Sequence, residues 1–418
     1  MSRRWGRVRP AITVVLALGT LLAGTGGAVA TTGKGVRYAA RTALAPGVDY
    51  RRFDYAGSHG TAHGHLLTVD LRRRDLSVDL LYPGTVTGRG TVSRLANTAH
   101  AVGGINADFF HMSETQHRGV PATGAPVGPA IAHGRQLKAA VPSSQRFGPS
   151  LPPGTSTENV LGIGSDRRAR LDQLRLTGTV RSGRSTVALR GFNQYALPQN
   201  GVGAYTADWG SASRRRAVCG SDLRRADPCG RPTYEVTVRN GRVVKTSGSA
   251  GRGRIPPGTV VLLGREGGAR FLRTLAPGRP VVVQSRLLPV SHRGDLRFAV
   301  GGYPILRDRT PLAGLENGTA ATRTAAGYGD GGQTLYLMAL DGNAESGAGL
   351  TVRELAGLMY ALGSDSAVNL DGGGSSTLVT RAPGAARVTV RNHPTGGVER
   401  AVANGIGVFQ AHGGRESK

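Results

Sequence analysis

The sequence predicts an α+β fold: a single strand-rich domain with a mixed β-sheet and a few packed helices. Three observations point there. Short runs of alternating apolar and polar residues recur along most of the chain, the pattern of half-buried strands. The 65 glycines and 22 prolines in 418 residues divide those runs as turns, and no Gly-x-y period makes them collagen. Only two stretches, Thr91 to Val102 and Val352 to Leu362, carry apolar residues at helical spacing.

The chain opens with Arg3, Arg4, Arg7 and Arg9 and no acid, then an apolar run from Ala11 to about Ala23, then Ala28-Val29-Ala30. That is the charge, core and A-x-A cleavage pattern of an export signal over residues 1–30, and it predicts a secreted protein. The run is too short for a membrane anchor, and no later stretch reaches the roughly 18 apolar residues of a transmembrane helix. Residues 31–64 read as a loose N-terminal leader, 65–410 as the main domain and 411–418 as a polar tail.

Within the main domain, His65–Leu71 and Leu76–Tyr82 alternate as strands. Thr91 to Val102 predicts a helix with Leu95, Ala99 and Val102 on one face. Residues 142–154 are a Pro/Ser/Gly loop, and 187–289 a series of short strands with a hairpin about Asn240-Gly241. The strand Thr334–Leu340 leads to the helix from Val352, whose stripe is Val352, Leu355, Ala356, Met359 and Tyr360. Thr351 is its N-cap, Glu354 completes a capping box and Gly363 is its stop. Strands over Ala367–Leu370, Thr377–Thr380 and Val402–Phe409 close the domain.

The formal charge is +27, and with only four lysines, 49 of the 53 basic residues are arginines. A GC-rich, bacterial genome writes such a composition onto solvated surfaces. The same charge attracts polyanions such as phosphorylated glycans. No nucleic-acid module accompanies it. Only two cysteines are present, Cys219 and Cys229, around a short polar loop. In an exported chain they predict a disulfide, contributing roughly 2–3 kcal/mol. No third ligand at suitable spacing makes them a zinc site.

Three clusters could carry chemistry. Asn369-Leu370-Asp371-Gly372-Gly373-Gly374-Ser375-Ser376-Thr377 lies between strands. Its glycines permit positive φ and let backbone N–H groups face an anion, and the same pattern serves a hairpin turn. No lysine and helix follow, so it is not a nucleotide P-loop. Arg323 precedes Thr324-Ala325-Ala326-Gly327, and Asp341-Gly342-Asn343-Ala344-Glu345 ends the next strand. A guanidinium fork suits phosphate, and Asp341 suits a turn, a metal or acid–base work. Gly103-Gly104-Ile105-Asn106-Ala107-Asp108-Phe109-Phe110 sets Asn106 and Asp108 on one face. His59, His63 and His65 form a His-rich start, and His111 follows Phe110.

In this order, Asn106–Phe110, Arg323–Gly327, Asp341-Gly342, Gly349-Leu350-Thr351 with its helix, and Asn369–Thr377 resemble the phosphodiester glycosidase family. The resemblance spans roughly residues 65–410 and is weak from about 150 to 300. It implies hydrolysis of a sugar-1-phosphodiester in a cell-surface or extracellular glycan, releasing the sugar and leaving a phosphomonoester. Cleavage at C1 passes through an oxocarbenium-like state. On this reading Arg323 and the amides of Gly372, Gly373 and Gly374 hold the phosphate, with Thr324 and Ser375 in the same segments. Asp371 is general base or electrostatic stabiliser, and Asp341 and Glu345 compete for the second carboxylate role. Asn106, Asp108 and Asn369 bind sugar hydroxyls or orient the others. No cofactor is required. Ca²⁺ held by Asp108, Asp341 and Asp371 is chemically open. Two alternatives share these residues: a non-catalytic binder or exporter of anionic polysaccharide, and a phosphodiesterase cutting P–O.

Overall fold

The computed structural model describes residues 1–2, 30–31, 35–342 and 348–411. Nearly all of the expected export signal, the tail from 412 onward and Glu345 lie outside the described residues. The fold is α+β as expected, and its strands form three sheets. A ten-stranded sheet has at its centre the antiparallel strands Gly60–Asp70, Thr334–Leu340, Thr324–Gly329, Ser366–Leu370 and Tyr303–Arg307. A five-stranded sheet runs Thr389–Val390, Leu378–Thr380, Gly103–Asn106, Gly405–Gln410 and Leu76–Leu81. An eleven-stranded sheet takes most of the stretch between 130 and 301. Its one parallel pair, Ser185–Phe192 beside Val202–Tyr205, makes it mixed.

One buried cluster joins all three sheets: Leu67 and Leu337 from the first, Ile105 and Ile406 from the second, Leu161 and Val300 from the third. A second cluster lies on the opposite face of the ten-stranded sheet. There the helix Val352–Ala361 buries Val352, Leu355, Ala356, Leu358 and Met359 against Ile305, Met338 and Ala367. Its capping box forms as the sequence predicts: Thr351 accepts from the Glu354 N–H, and Glu354 accepts from the Thr351 N–H. Tyr360, expected on the stripe, is exposed and packs under the Arg309 guanidinium. The 3.6-residue period carries position 360 past the edge of the buried arc, which Leu358 fills instead.

Other expectations need correction. Residues 36–57 are not loose. Val36–Tyr38, Thr42–Ala45 and Val48–Gly57 are strands of the ten-stranded sheet, and they bury Val36, Tyr38, Leu44, Val48, Tyr50 and Phe53. These apolar positions are spread among arginines and tyrosines, so the segment looks polar in composition while one face is core. The first helix stops at Thr98 and buries Val92, Leu95 and Ala96, leaving Ala99 exposed. His100, at φ 55°, ends it by turning the chain back. A short helix, Gly267–Leu272, interrupts the strand series. The hairpin at Asn240-Gly241 forms with both residues at positive φ. Cys219 and Cys229 are bonded.

Truncation of Leu355 to alanine removes a side chain buried under the helix and is expected to cost about 2–5 kcal/mol. Thr351→Ala, which removes the cap and the hydroxyl's bond to Asn317 Oδ1 (3.1 Å), is expected to cost about 1–2 kcal/mol. Urea unfolding of both variants checks the ranking. Equal losses would mean that the cap rather than the apolar face anchors the helix.

Candidate active site

Strand register sets the site. In the ten-stranded sheet Thr324 lies between Ala339 and Leu370, so the chain just beyond these strand ends, Arg323, Asp341 and Asp371, emerges at one edge. In the five-stranded sheet Ile105 lies between Leu378 and Ile406, so Asn106 emerges at the matching end. The Asp371–Thr377 loop leaves the first sheet and enters the second, which brings the two edges together.

Asn106 ties this junction. Fully buried, it donates from Nδ2 to the Asp371 carbonyl (2.6 Å), and its Oδ1 accepts from the Thr377 N–H (3.0 Å) and the Thr324 hydroxyl (3.1 Å). The Thr324 hydroxyl also lies 3.0 Å from Ser376 Oγ. Asn106 and Thr324, both expected near substrate, therefore orient the loop.

Asp371 keeps partial solvent access. Burial pushes its carboxyl up to about 6, against hydrogen bonds from the Ser375 side chain and the Gly372 N–H and the nearby Arg400. Arg400, which no pattern in the sequence singles out, is the cation here, with Nη1 3.4 Å from Ser375 Oγ. A Cβ at position 374 would collide with its guanidinium, so glycine there makes room for the charge. The glycine amides do not form the expected anion nest. Gly372 donates to Asp371, and Gly373 donates to the Thr322 carbonyl (2.8 Å), just before the strand Thr324–Gly329, so these two N–H groups are spent within the protein.

Asp341 forms the second carboxylate. Its Oδ1 accepts from His65 Nε2 (3.1 Å) and from the His393 N–H (2.6 Å), and the Tyr50 hydroxyl donates to His65 Nδ1 (2.8 Å). Burial raises its proton affinity, but these donors outweigh it and hold the carboxyl below the usual range. The two aspartates are thus shifted in opposite directions.

Asp108 is buried just past the end of the strand Gly103–Asn106. Gly128 donates to its Oδ2 (2.7 Å), while Oδ1 has no protein hydrogen-bond partner. Any side chain at Gly301 would collide with this carboxylate. Lys138, fully buried, donates to the carbonyls of Val127 (3.2 Å), Gly128 and Ala139 (2.6 Å). Burial pushes Asp108 up and Lys138 down, and each partly offsets the other. The Asp371 charge pushes Asp108 further up, so the two carboxyls feel one another.

Other expectations change. Arg323 does not face the Asp371 carboxylate. Its Nε donates to the Leu350 carbonyl (2.8 Å) and its Nη2 to the Thr319 carbonyl (2.7 Å), on the helix side of the sheet. Asn369 is the register partner of Ala325 and shares that side; its buried amide makes no protein hydrogen bond. His111 is buried against Thr123 and Glu114, and burial and Arg216 hold its ring down to about 4. His63 pairs with Asp54 (2.6 Å) and His59 lies beside Ser58, so the three histidines do not converge. Among the described residues Asp108, Asp341 and Asp371 do not bring three ligand atoms together for Ca²⁺. The one such trio is His117 with Cys219 and Cys229, whose sulfurs are bonded to each other.

The sequence model of the phosphodiester glycosidase family matches residues 232–409, a stretch that holds Asp341, Asp371, the glycine run and Arg400 but not Asn106 or Asp108. No curated protein matches the chain in sequence. Solved structures share its fold. A hypothetical protein from Synechocystis superposes at a TM-score of 0.67 with 19% identity over 88% of this chain, which spans only 63% of that one. A protein from Burkholderia pseudomallei superposes at 0.67 with 20% identity, over 90% of this chain and 98% of that one. The catalytic domain of zebrafish N-acetylglucosamine-1-phosphodiester alpha-N-acetylglucosaminidase aligns over 91% of this chain and 89% of that one, at 16% identity and a TM-score of 0.42. Among the described residues no helix is long and apolar enough to cross a membrane. The match over residues 232–409 bears out, over that stretch, the resemblance to the phosphodiester glycosidase family read from the sequence.

Proposed function

We propose that this protein hydrolyses the C1–O bond of a sugar-1-phosphodiester, in a glycan outside the cytoplasm, releasing the sugar and a phosphomonoester. The observation that carries this reading is the pair Asp371 and Asp341, at one edge of the sheet, with proton affinities driven in opposite directions. Asp341, held anionic by His65 and the His393 N–H, stabilises the positive charge that develops at C1. Asp371, titrating near neutrality, takes the proton of the attacking water. The bond from C1 to the phosphate oxygen breaks, its electron pair leaves with the phosphate, and water oxygen joins C1. A phosphate is a good leaving group, so little acid assistance is needed. Arg400 beside Ser375 supplies the charge that holds it. The disulfide suits an oxidising compartment, and the Burkholderia pseudomallei relative carries a name that describes it as exported.

Turnover of a panel of sugar-1-phosphodiesters in ¹⁸O-labelled water tests the reaction. The label is expected on the released sugar, and Asp371→Asn is expected to lose roughly 10²- to 10⁴-fold in rate. Label on the phosphate would mean P–O cleavage. No turnover across a broad panel would favour a binding protein.

A base must be ionised to act, so kcat/KM is expected to fall as pH drops through about 6, with the ascending limb absent in Asp371→Asn. Arg400→Ala is expected to lower kcat/KM roughly 10- to 100-fold, the loss of a charged hydrogen bond. Arg323→Ala is expected to lower the melting temperature rather than raise KM, and the opposite result would return the phosphate to Arg323.

A further inference from the structure

The Cys219–Cys229 loop and residues 143–148 border a shallow, open cleft of about 570 Å³. Arg146, Arg224 and Arg225 line it, and no acidic side chain does. Two of these cations are fixed in place. The Arg225 guanidinium lies 4.2 Å from the centre of the Phe147 ring, with Nε donating to Gln116 Oε1 (3.1 Å) and Nη1 to the Arg146 carbonyl (3.1 Å). Arg146 is held through Nη1, which donates to the carbonyls of Gly148 (3.0 Å) and Pro149 (2.7 Å), and its guanidinium stands 5.8 Å from the Tyr303 ring. Neither guanidinium spends all its N–H groups on these bonds, so each can take an anion without first being ordered. Arg224 differs: it is exposed and already paired with Asp227 at 3.0 Å.

The cleft adjoins the carboxylate cluster through one aromatic layer. Tyr303 stacks on Phe109 at 4.7 Å, and Phe109 follows Asp108 in the chain. A Cβ at Gly148, in the cleft wall, would touch both rings.

We propose that this cleft is a subsite for the phosphate groups of a phosphodiester-linked glycan chain, one or more repeating units from the bond that is cut. This rests on the reading of function above and narrows it: the substrate is a polymer with phosphate at intervals. Among the described residues Phe147 is the only aromatic one lining the cleft, and Arg225 covers its face, so it offers little platform for a nucleic-acid base. Ser143, Ser144 and Gln116 offer hydrogen bonds suited to sugar hydroxyls instead.

The test is fluorescence anisotropy with the full chain carrying Asp371→Asn, so that turnover is slow on the timescale of the measurement. The probes are a labelled tetramer of mannose joined by phosphodiesters, a single mannose-1-phosphodiester, and single-stranded dT₂₀. Arg146→Ala/Arg225→Ala is compared with Arg181→Ala/Arg184→Ala, which removes equal charge from the exposed hairpin about Gly183. The tetramer is expected to bind at least 10-fold tighter than the single unit. The cleft variant is expected to lose that advantage, with a salt slope shallower by about two, and to keep its affinity for the single unit. The hairpin variant is expected to change by less than twofold. Equal losses in both variants, no preference for the tetramer, or dT₂₀ binding as tightly as the tetramer would each overturn the proposal. A failure of catalysis would show in the ¹⁸O assay and not here, so the two readings fall separately.

Discussion

The junction between the two smaller sheets depends on one buried amide. Asn106 has an acceptor and a donor on the same planar group, and it spends them on a main-chain carbonyl, a main-chain N–H and a hydroxyl from two different sheets. The fully buried Thr377 N–H would otherwise be a donor without this acceptor, at a cost of about 1–3 kcal/mol, whereas the Thr324 hydroxyl would keep Ser376. The loop bearing Asp371 is held at both ends by this residue, at its first carbonyl and its last N–H. The position of the Asp371 carboxyl relative to Arg400 and Asp108 follows from that constraint. An aspartate at 106 could accept but not donate, and a leucine could do neither.

Much of the architecture was legible because it rests on local rules. The Thr351–Glu354 box, the Asn240-Gly241 turn and the strands around residues 66–81, 334–340 and 366–380 follow from capping, turn chemistry and alternation within a few residues. Residues 36–57 are not legible as strands, because their apolar positions are sparse and are buried only through pairing with Gly60–Asp70, a long-range fact. The site divides in the same way. Asp371 and Asp341 could be named, since carboxylates at strand ends beside glycine are visible in one dimension. Arg400 and Lys138 could not, because they act through Ser375 and Gly128, 25 and 10 positions away in the chain, and His65, visible only as part of a His-rich start, acts through Asp341, 276 positions away. Arg323 shows the reverse case: its segment was right and its direction wrong, since alternation turns it to the opposite face from Thr324.

Burial organises the charges more than proximity does. Asp108 and Lys138 are joined through the Gly128 peptide rather than by direct contact: Gly128 donates its N–H to one and offers its carbonyl to the other. Such an arrangement satisfies hydrogen bonds while leaving both groups poorly solvated, which is why their proton affinities approach one another. The surface arginines are a different matter, solvated and individually weak, and they act as a field rather than as contacts.

The strand Val48–Gly57 pairs with Gly60–Asp70 along its whole length, and Val36–Tyr38 then covers its outer side. Without these strands, the eleven residues of Gly60–Asp70 would present a row of open backbone donors and acceptors. That is the kind of edge on which chains add to one another and aggregate. Proteolytic trimming to residue 58 or beyond would therefore remove Tyr50 from the hydrogen-bond chain to Asp341 and also convert a closed sheet into a sticky one. The segment that looks most dispensable by composition is a guard strand.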